Sequence, residues 1–341
     1  NVVLTAATAG SLTGTVTLGL TSNANGVADL TNLALAGQTV AVTGAAYDLA
    51  KPTFAATNAL GNLRVGVTTK TLAVDNATIS NLAYQDKLAV VATGAAGLTL
   101  TNPADIAAGA SGNITLGASV AGSLAGNLSL GLTSKALTGT TLTDVTLAGG
   151  SIALTGAAYD YAQATVGATL ALGNVRTGAV RNLAVTNTVV TDAAFQDSLD
   201  VAATTAVGTL TLANPANILA GKTGNVVLTA ATAGFLTDTI NLALTSKAAA
   251  AGLGDANLAA GTATVTGAVY DYAVAAVAAT RALGNVRVGA TANLSVGNTT
   301  VTSADFQDRL AVAATSSATG RLTDTKQSVA AGAACCIVFA R

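Results

Sequence analysis

The chain has 341 residues, a formal net charge of −1, 51% hydrophobic residues and only 9% charged residues. Histidine, the commonest general base and metal ligand, is absent, and a charge near zero gives no electrostatic footprint for nucleic acid. The apolar content suffices to bury a core, and no run approaches the roughly 18 apolar residues of a membrane-spanning helix. These figures predict two or three ordered domains, with no nucleic acid partner and no membrane span.

Short motifs recur along the chain in a fixed order. Gly61, Gly173 and Gly284, each in a Leu-Gly-Asn-Leu/Val-Arg motif, are separated by 112 and 111 residues. Two further motifs recur: Thr-Gly-Ala-Ala/Val-Tyr-Asp at 43–48, 155–160 and 266–271, and Tyr/Phe-Gln-Asp at 84–86, 195–197 and 306–308. Residues 1–10 recur unchanged at 225–234. This period is too long for a solenoid repeat and fits a whole small domain, which predicts tandem domains.

Within each repeat, small polar and apolar residues alternate over short segments. In chain order, the clearest segments are residues 15–21, 38–43, 151–155 and 182–186. Such alternation is typical of half-buried antiparallel strands, and the frequent Thr and Val favour strands through their branched side chains. About seven short strands in about 110 residues predict an all-β fold of tandem immunoglobulin-like antiparallel β-sandwiches, with a repeat period of about 112 residues.

The repeated motifs resemble those of the bacterial choice-of-anchor D repeats. The similar segments are Leu-Gly-Asn-Val-Arg-x-Gly at 172–178, Leu-x-Val-x-Asn-Thr at 183–188, Phe-Gln-Asp-x-Leu at 195–199, and the strands at 14–22 and 42–47. The resemblance covers nearly the whole chain, three times over. It implies a secreted or surface-anchored protein built from immunoglobulin-like sandwiches, and it implies no chemistry.

The family pattern also implies where each domain begins and ends, because its unit starts before the Leu-Gly-Asn strand and ends just after the Tyr motif. The expected parts are 1–50, the second half of a split β-sandwich; 51–162 and 163–273, two complete β-sandwiches; and 274–341, the first half of a split β-sandwich plus a C-terminal strand. Two other interpretations stay open. The sequence is a fragment cut at arbitrary points, or the frame is 1–112, 113–224 and 225–335, with the last strand a tail.

The two outer fragments are complementary, because residues 336–339 are equivalent to residues 1–4 in the repeat. Together the fragments make one sandwich with about one strand duplicated. The ends of a linear array lie far apart, so the favoured partner is a second copy, which predicts head-to-tail polymerisation by β-strand complementation. The predicted interface residues are Val2, Val3, Leu4, Cys335, Cys336, Ile337, Val338 and Phe339.

Cys335 and Cys336 are adjacent and are the only cysteines. They form an inter-chain disulfide in one interpretation, and are two small buried hydrophobic residues in the other. No histidine is present to activate a thiolate, and two thiolates are too few for a structural zinc site. We therefore predict no catalytic residue, no metal and no cofactor.

Arginine, aspartate and tyrosine recur at equivalent positions, with two interpretations each. Arg and Asp form an ion pair within each domain or line a solvated strand edge; the residues are Arg64, Arg176 and Arg287 with Asp86, Asp197 and Asp308. Tyr47, Tyr159 and Tyr270 resemble a corner tyrosine, with the ring in the core and the hydroxyl on the backbone, or are plain core aromatics. All acids are Asp and scattered, so neither Ca²⁺ binding nor a catalytic pair among Asp144, Asp160 and Asp200 is favoured.

The sequence predicts a structural subunit of an extracellular filament, sheath or surface assembly, whose partner is the chain itself. The alternative is a cell-surface adhesin or carbohydrate-binding stalk of immunoglobulin-like modules; an enzyme is not expected. An adhesin predicts a distinctive loop in one domain, and the three repeats differ little. The chain starts without Met and without a signal peptide, which predicts a processed chain.

Overall fold

A computed structural model describes residues 2–94, 96–282, 284, 285, 287, 289–315 and 325–340, without the side chains of residues 325, 326, 339 and 340. Strands predominate among the described residues, whose helical segments are three short 3₁₀ helices. The chain divides into two compact units, Asn1–Tyr159 and Asp160–Arg341, which are described separately. No helix in the described ranges is long and apolar enough to cross a membrane.

The first unit begins with a β-hairpin. Its strands are β1 (Gly10–Leu18), β2 (Thr21–Ser22), β3 (Leu33–Ala34) and β4 (Gln38–Ala46). β1 and β4 pair antiparallel from Gly10 opposite Ala46 to Leu18 opposite Gln38, and the short β2–β3 pair lies between them in the chain. Residues 2–9 form no strand.

The rest of the first unit is a two-sheet sandwich. Its strands are β5 (Pro52–Phe54), β6 (Thr57–Arg64), β7 (Thr69–Asn76), β8 (Lys87–Gly94), β9 (Leu98–Thr101), β10 (Ser111–Ala118), β11 (Gly122–Ser123), β12 (Gly126–Lys135), β13 (Val145–Thr146) and β14 (Gly150–Tyr159). One sheet has the order β5-β7-β10-β9. The other joins β6, β14, β12 and β8, with β6 parallel to β14, and β11 and β13 extend it. A 3₁₀ helix lies at Leu82–Tyr84.

This strand order is that of an immunoglobulin domain. We therefore letter the strands of a sandwich A (β5), A′ (β6), B (β7), C (β8), D (β9), E (β10), F (β12) and G (β14). One sheet is then A-B-E-D and the other is A′-G-F-C. The inward side chains of both sheets form a single buried core. The all-β, immunoglobulin-like prediction is confirmed.

The second unit contains another sandwich with the same strand order. Its strands are β15 (Ala164–Val166), β16 (Thr169–Arg176), β17 (Val180–Asn187), β18 (Ser198–Thr205), β19 (Leu210–Ala213), β20 (Thr223–Ala230), β21 (Gly234–Lys247), β22 (Ala256–Asn257) and β23 (Gly261–Tyr270). The sheets are β15-β17-β20-β19 and β16-β23-β21-β18. In the lettering of the first sandwich, strands A, A′, B and C are β15, β16, β17 and β18, and strands D, E, F and G are β19, β20, β21 and β23. The short β22 pairs with β21. A 3₁₀ helix lies at Ala193–Phe195, and the sandwich has its own core.

Two of the repeated motifs meet where strand A′ runs parallel to strand G. In the second sandwich, a Cβ on Gly267 of strand G would lie 2.6 Å from the carbonyl oxygen of Gly173 in strand A′. In the first sandwich, a Cβ on Gly156 would lie at the same 2.6 Å from the carbonyl oxygen of Gly61. Both pairs sit at a shift in strand register. The glycine of Thr-Gly-Ala therefore recurs because the two backbones approach too closely for a side chain. The glycine of Leu-Gly-Asn recurs for a different reason: Gly61 and Gly173 have φ angles of 71° and 67°, which favour glycine.

The second unit ends in an incomplete sandwich, which we call the C-terminal half. Its strands are β24 (Val274–Val277), β25 (Thr291–Thr299), β26 (Leu310–Ala314), β27 (Thr325–Val329) and β28 (Ala334–Ala340), with a 3₁₀ helix at Ala304–Phe306. β24, β25 and β28 form one sheet, and β26 pairs with β27. By position in the repeat, β24, β25, β26 and β28 are strands A, B, C and E. The described residues between 278 and 290 form no strand, although their equivalents form A′ in both complete sandwiches.

Candidate functional site

The hairpin exposes apolar side chains whose repeat equivalents are buried. Strands β1 and β2 together correspond to strand F, and β4 corresponds to strand G; β1 and β4 pair in the same register as in the second sandwich. Leu20 is 39% exposed and its equivalent Leu132 is 2% exposed; Val40 is 50% exposed and its equivalent Ile152 is 1% exposed. The apolar inner face of the hairpin is therefore exposed, although the equivalent face lies in the buried core of the complete sandwiches.

A groove of about 430 Å³ marks this uncovered inner face. Leu12, Val16 and Val42 line it, together with Leu4 of the preceding segment. The equivalents of these four residues in the second sandwich are Leu236, Ile240, Val265 and Leu228, all buried in its core. The predicted interface residues Val2, Val3 and Leu4 are exposed, and they lie in the segment before β1 that forms no strand.

Gly44 in β4 occupies the position of Gly156 and Gly267. No described atom outside its immediate chain neighbours lies within 4 Å of a Cβ built on Gly44, so nothing in the described hairpin demands glycine there. In the complete sandwiches the glycine opposite this position is Gly61 or Gly173, and the equivalent residue in the C-terminal half is Gly284. Leu283 and Val286 of that motif lie outside the described residues. The hairpin thus keeps a glycine that only an adjacent A′ strand requires.

The C-terminal half keeps the internal polar network of a complete sandwich. Asn298 Nδ2 donates to the carbonyl oxygens of Asp308 (3.0 Å) and Val329 (3.3 Å), and Asn298 Oδ1 accepts Gln307 Nε2 (3.0 Å) and the Val274 amide (3.0 Å). In the second sandwich, the equivalent Asn187 makes the same four hydrogen bonds with the equivalent groups. This network joins strands A, B and C without using strands F or G.

One edge of the C-terminal half is unpaired within the described residues. In both complete sandwiches, strand C pairs with strand F over eight residues. β26 pairs only with β27 among the described strands, so its F-facing edge carries no strand. Leu310 in β26 is half-buried, whereas its equivalents Leu88 and Leu199 are fully buried.

The remaining predicted interface residues lie on β28, which takes the position of strand E against β25. Cys335 is half-buried, Cys336 and Val338 are exposed, and Ile337 is buried; the side chain of Phe339 lies outside the described residues. Both cysteines are free. The chain has no other cysteine, so a disulfide between copies would join two C-terminal strands and could not join β28 to a hairpin.

Cys335 also replaces a glycine. Its equivalents are Gly112 and Gly224, where a Cβ would lie 2.6–2.7 Å from the Cδ1 atoms of Ile106 and Ile218. Val329, which is one carbon smaller, replaces these isoleucines in the C-terminal half. The smaller neighbour makes room for the Cys335 side chain, which supports a packing role for this thiol.

The recurring charged and aromatic residues join consecutive repeats. Arg176 Nε donates to Asp308 Oδ2 of the following repeat at 2.7 Å, and not to Asp197 of its own repeat, so of the two interpretations the ion pair within the domain is wrong for Arg176. The guanidinium also lies over the Tyr272 ring, 5.2 Å from its centroid. This pairing connects the second sandwich to the C-terminal half.

The tyrosines behave similarly. The Tyr270 ring packs against Phe306 of the following 3₁₀ helix with centroids 5.6 Å apart, and Tyr47 packs against Tyr84 at 5.4 Å. Both tyrosines are half-buried, and neither belongs to a sandwich core. Both interpretations, the corner tyrosine and the plain core aromatic, place the ring in the core, and both are therefore wrong at these two positions.

The hairpin lacks an ion pair that both complete sandwiches have between strand F and the following loop. Lys135 donates to Asp144, and this hydrogen bond lowers the pKa of the Asp144 carboxyl and raises the pKa of Lys135. Lys247 and Asp255 repeat the pair, and Asp255 raises the pKa of Lys247. Asn23 and Asn32 replace these residues in the hairpin.

The described residues contain no group of three or more Cys and Asp side chains able to hold a metal ion. Asp144, one of the carboxylates considered for catalysis, is paired with Lys135. Asp160 forms a parallel backbone bridge to Gln196.

No protein-family model and no curated protein sequence matches the chain, so the similarity to choice-of-anchor D repeats remains a prediction. Among solved structures, the D00-D0 domain of intimin is similar at 15% identity, over 62% of this chain and 99% of that chain, with a TM-score of 0.26. The extracellular cadherin domains 1–5 of protocadherin gamma B2 align at 12% identity, over 83% and 51%, with a TM-score of 0.32.

Domains 4–9 of the surface layer protein SbsC align at 15% identity, over 71% of this chain and 35% of that chain, with a TM-score of 0.21. These TM-scores are too low to support a function or a cellular location for this chain. The immunoglobulin-like description rests on the strand order given above.

Proposed function

We propose that the protein is a structural subunit of an extracellular filament, sheath or surface assembly. In this proposal the hairpin of one copy supplies strands F and G to a sandwich whose strands A, B, C and E belong to the C-terminal half of the next copy. The supporting observation is the complementarity of the two regions, strand for strand. The contact is head-to-tail, so it propagates from copy to copy.

The register of the contact follows from the complete sandwiches. Asp200 in strand C lies opposite Thr245 in strand F, and the equivalent residues are Ala311 in β26 and Thr21 in β2. Gly173 lies opposite Gly267, which places Gly284 of one copy against Gly44 of the other. In this contact, strand F of the hairpin pairs with the free edge of β26, and the apolar face of the hairpin is buried.

Strand E is present twice, and we assign its position to β28. β28 already pairs with β25 over seven residues, from Ala334 opposite Gly297 to Ala340 opposite Thr291. Residues 2–9 form no strand, and Leu4 lies at the groove that the incoming half core would fill. Leu4 therefore leaves the groove when two copies join.

Burial of the hairpin face supplies the driving force. Each Val or Leu side chain contributes about 1.5–3 kcal/mol when it moves from water into a core. The residues that gain contacts include Val16, Leu18, Leu20, Val40 and Val42. Association costs about 4–15 kcal/mol in lost freedom, which a cluster of this size can offset. The hairpin also brings few charges into the contact, since Asp29 is the only charged side chain between residues 1 and 46.

Gly44→Ala tests the proposal. The substitution places a Cβ where no described atom lies within 4 Å in the unassembled hairpin, so the single chain should fold normally. In the contact between copies that Cβ would meet the Gly284 carbonyl at the 2.6 Å distance measured in the complete sandwiches. We expect the unsubstituted chain to form long polymers in sedimentation velocity and negative-stain microscopy. Gly44→Ala should need a roughly fivefold to hundredfold higher concentration to polymerise, with an unchanged circular dichroism spectrum.

Gly14→Ala is the matched control. Gly14 also lies in the hairpin, and the second sandwich has Asp238 at the equivalent position, so a side chain there is compatible with a closed sandwich. Gly14→Ala should polymerise like the unsubstituted chain. An unsubstituted chain that stays monomeric and fully folded at high concentration would contradict the proposal, as would polymers of Gly44→Ala equal to those of the control.

A further inference from the structure

A buried serine connects three strands in both complete sandwiches. Ser246 Oγ, near the end of strand F and opposite Leu199 of strand C, donates to Asp197 Oδ2 at 2.6 Å and accepts the Ala162 amide at 2.9 Å. In the first sandwich, Ser134 Oγ donates to Asp86 Oδ2 at 2.9 Å and accepts the Ala50 amide at 2.8 Å. The serine and aspartate side chains are buried in both cases.

The C-terminal half contains two of these three groups. Asp308 is the equivalent of Asp86 and Asp197, and Ala273 is the equivalent of Ala50 and Ala162. The Asp308 side chain is 31% exposed, although its two equivalents are buried. The serine belongs to strand F, which the C-terminal half does not have among its described strands.

The hairpin contains the third group. Ser22 in β2 is the equivalent of Ser134 and Ser246, and it is exposed. β2 pairs with β3 so that Ser22 lies opposite Leu33, which is the register of Ser134 opposite Val145 in the first sandwich. The local backbone around Ser22 therefore already has the arrangement that presents the hydroxyl to the aspartate.

Asp308 has room for this hydroxyl. Arg176 Nε occupies one carboxylate oxygen at 2.7 Å, and an ionised carboxylate accepts about four hydrogen bonds. The arginine keeps the carboxylate oriented before a second copy arrives. A hydrogen bond to an ionised carboxylate is shorter and stronger than one between neutral groups.

We propose that Ser22 of one copy locks the head-to-tail contact by donating to Asp308 and accepting the Ala273 amide of the next copy. This inference rests on the proposed function, since it names the polar contact of the same interface. It also fixes the register, because a shift of strand F by one residue turns the Ser22 side chain to the other face and buries Asp308 without its donor.

Ser22→Ala tests the lock, with Thr21→Ala on the same strand as the matched control. Loss of one hydrogen bond to a charged group corresponds to a roughly tenfold to hundredfold weaker association. We expect Ser22→Ala to raise the critical concentration for polymerisation by that factor, and Thr21→Ala to leave it within about twofold. A second background, Asp308→Ala, separates the contact from general effects: there Ser22→Ala removes only the hydrogen bond to the Ala273 amide, so its effect should be clearly smaller than in the unsubstituted chain.

The outcomes distinguish failure of the proposed Ser22–Asp308 contact from failure of the proposed filament. If the unsubstituted chain polymerises and Ser22→Ala does so at the same critical concentration, the lock is wrong and the filament stands. If Ser22→Ala weakens polymerisation equally in the Asp308→Ala background, Ser22 acts elsewhere and the inference fails. If the unsubstituted chain never polymerises, the proposed function fails and the lock fails with it.

Discussion

The same ten residues occur in two surroundings in this molecule. Residues 225–234 and 1–10 are identical, yet Val226 and Leu228 are buried in strand β20, whereas Val2 and Leu4 are exposed and lie in no strand. In the second sandwich the segment pairs with β17 and β19; in the hairpin it has no partner strand in the described residues. The comparison shows that partner strands, rather than local sequence, decide whether this segment becomes a strand.

Removal of a core leucine should give the largest difference between a complete sandwich and the hairpin. Leu132→Ala removes a buried side chain and should destabilise the first sandwich by about 2–5 kcal/mol, because the cavity only partly collapses. Leu20→Ala, at the equivalent exposed position, should leave the unassembled chain unchanged. Scanning calorimetry below the polymerisation threshold measures both. Equal losses would show that the hairpin face is already covered in the single chain.

A methyl group at the contact of strands A′ and G gives the next largest effect. Gly267→Ala would place a Cβ 2.6 Å from the Gly173 carbonyl and should destabilise the second sandwich by about 1–3 kcal/mol. Gly44→Ala should have no such effect on the unassembled chain. Hydrogen–deuterium exchange of β16 and β23 reports the loss locally. Unchanged protection in Gly267→Ala would mean that the close approach is not required.

The smallest effect concerns the Lys–Asp pair that the hairpin lacks. Because the pKa of Asp144 is lowered, its contribution to the stability of the fold is present above about pH 3.8 and is lost as the pH falls through the lowered value. Because the pKa of Lys135 is raised, its contribution to stability is present below about pH 10.5 and is lost as the pH rises through the raised value. Asp144→Asn, which reproduces Asn32, should lower the thermal midpoint slightly at neutral pH. That difference should vanish in strong acid. A difference that persists there would assign the effect to packing.

The fold was predictable from the sequence because its determinants are local and repeated. Alternation in segments such as 151–155 marks strands, and the core positions follow from the period of two. The Asn and Gln-Asp motifs recur at the same spacing in each repeat. Their role in a network that joins strands A, B and C could not be predicted from the sequence, because a turn and a 3₁₀ helix separate Asn298 from Gln307.

The joints between repeats could not be predicted from the sequence. Arg176 and Asp308 are 132 residues apart, and nothing in the period indicates that the arginine pairs with the following repeat. The two glycine motifs are separated by about 95 residues, so their mutual contact at Gly61 and Gly156 emerges only when strands A′ and G are placed side by side. The position of Ser22 was missed for the same reason: its partners are visible only in the complete sandwiches.

An inter-chain disulfide would show whether strand F of one copy lies beside β26 of another. Two proteins are mixed, one carrying Thr21→Cys and the other Ala311→Cys, both in a Cys335→Ser, Cys336→Ser background so that no other thiol is present. Directly opposed residues on paired strands lie within the Cα separation of a disulfide, whereas Ala313→Cys, two residues further along β26, places the thiol about 7–8 Å away as the control. We expect a reductant-sensitive dimer of one copy of each protein for the Ala311→Cys mixture and little for the control. No such dimer, or equal amounts in both mixtures, would contradict head-to-tail strand complementation.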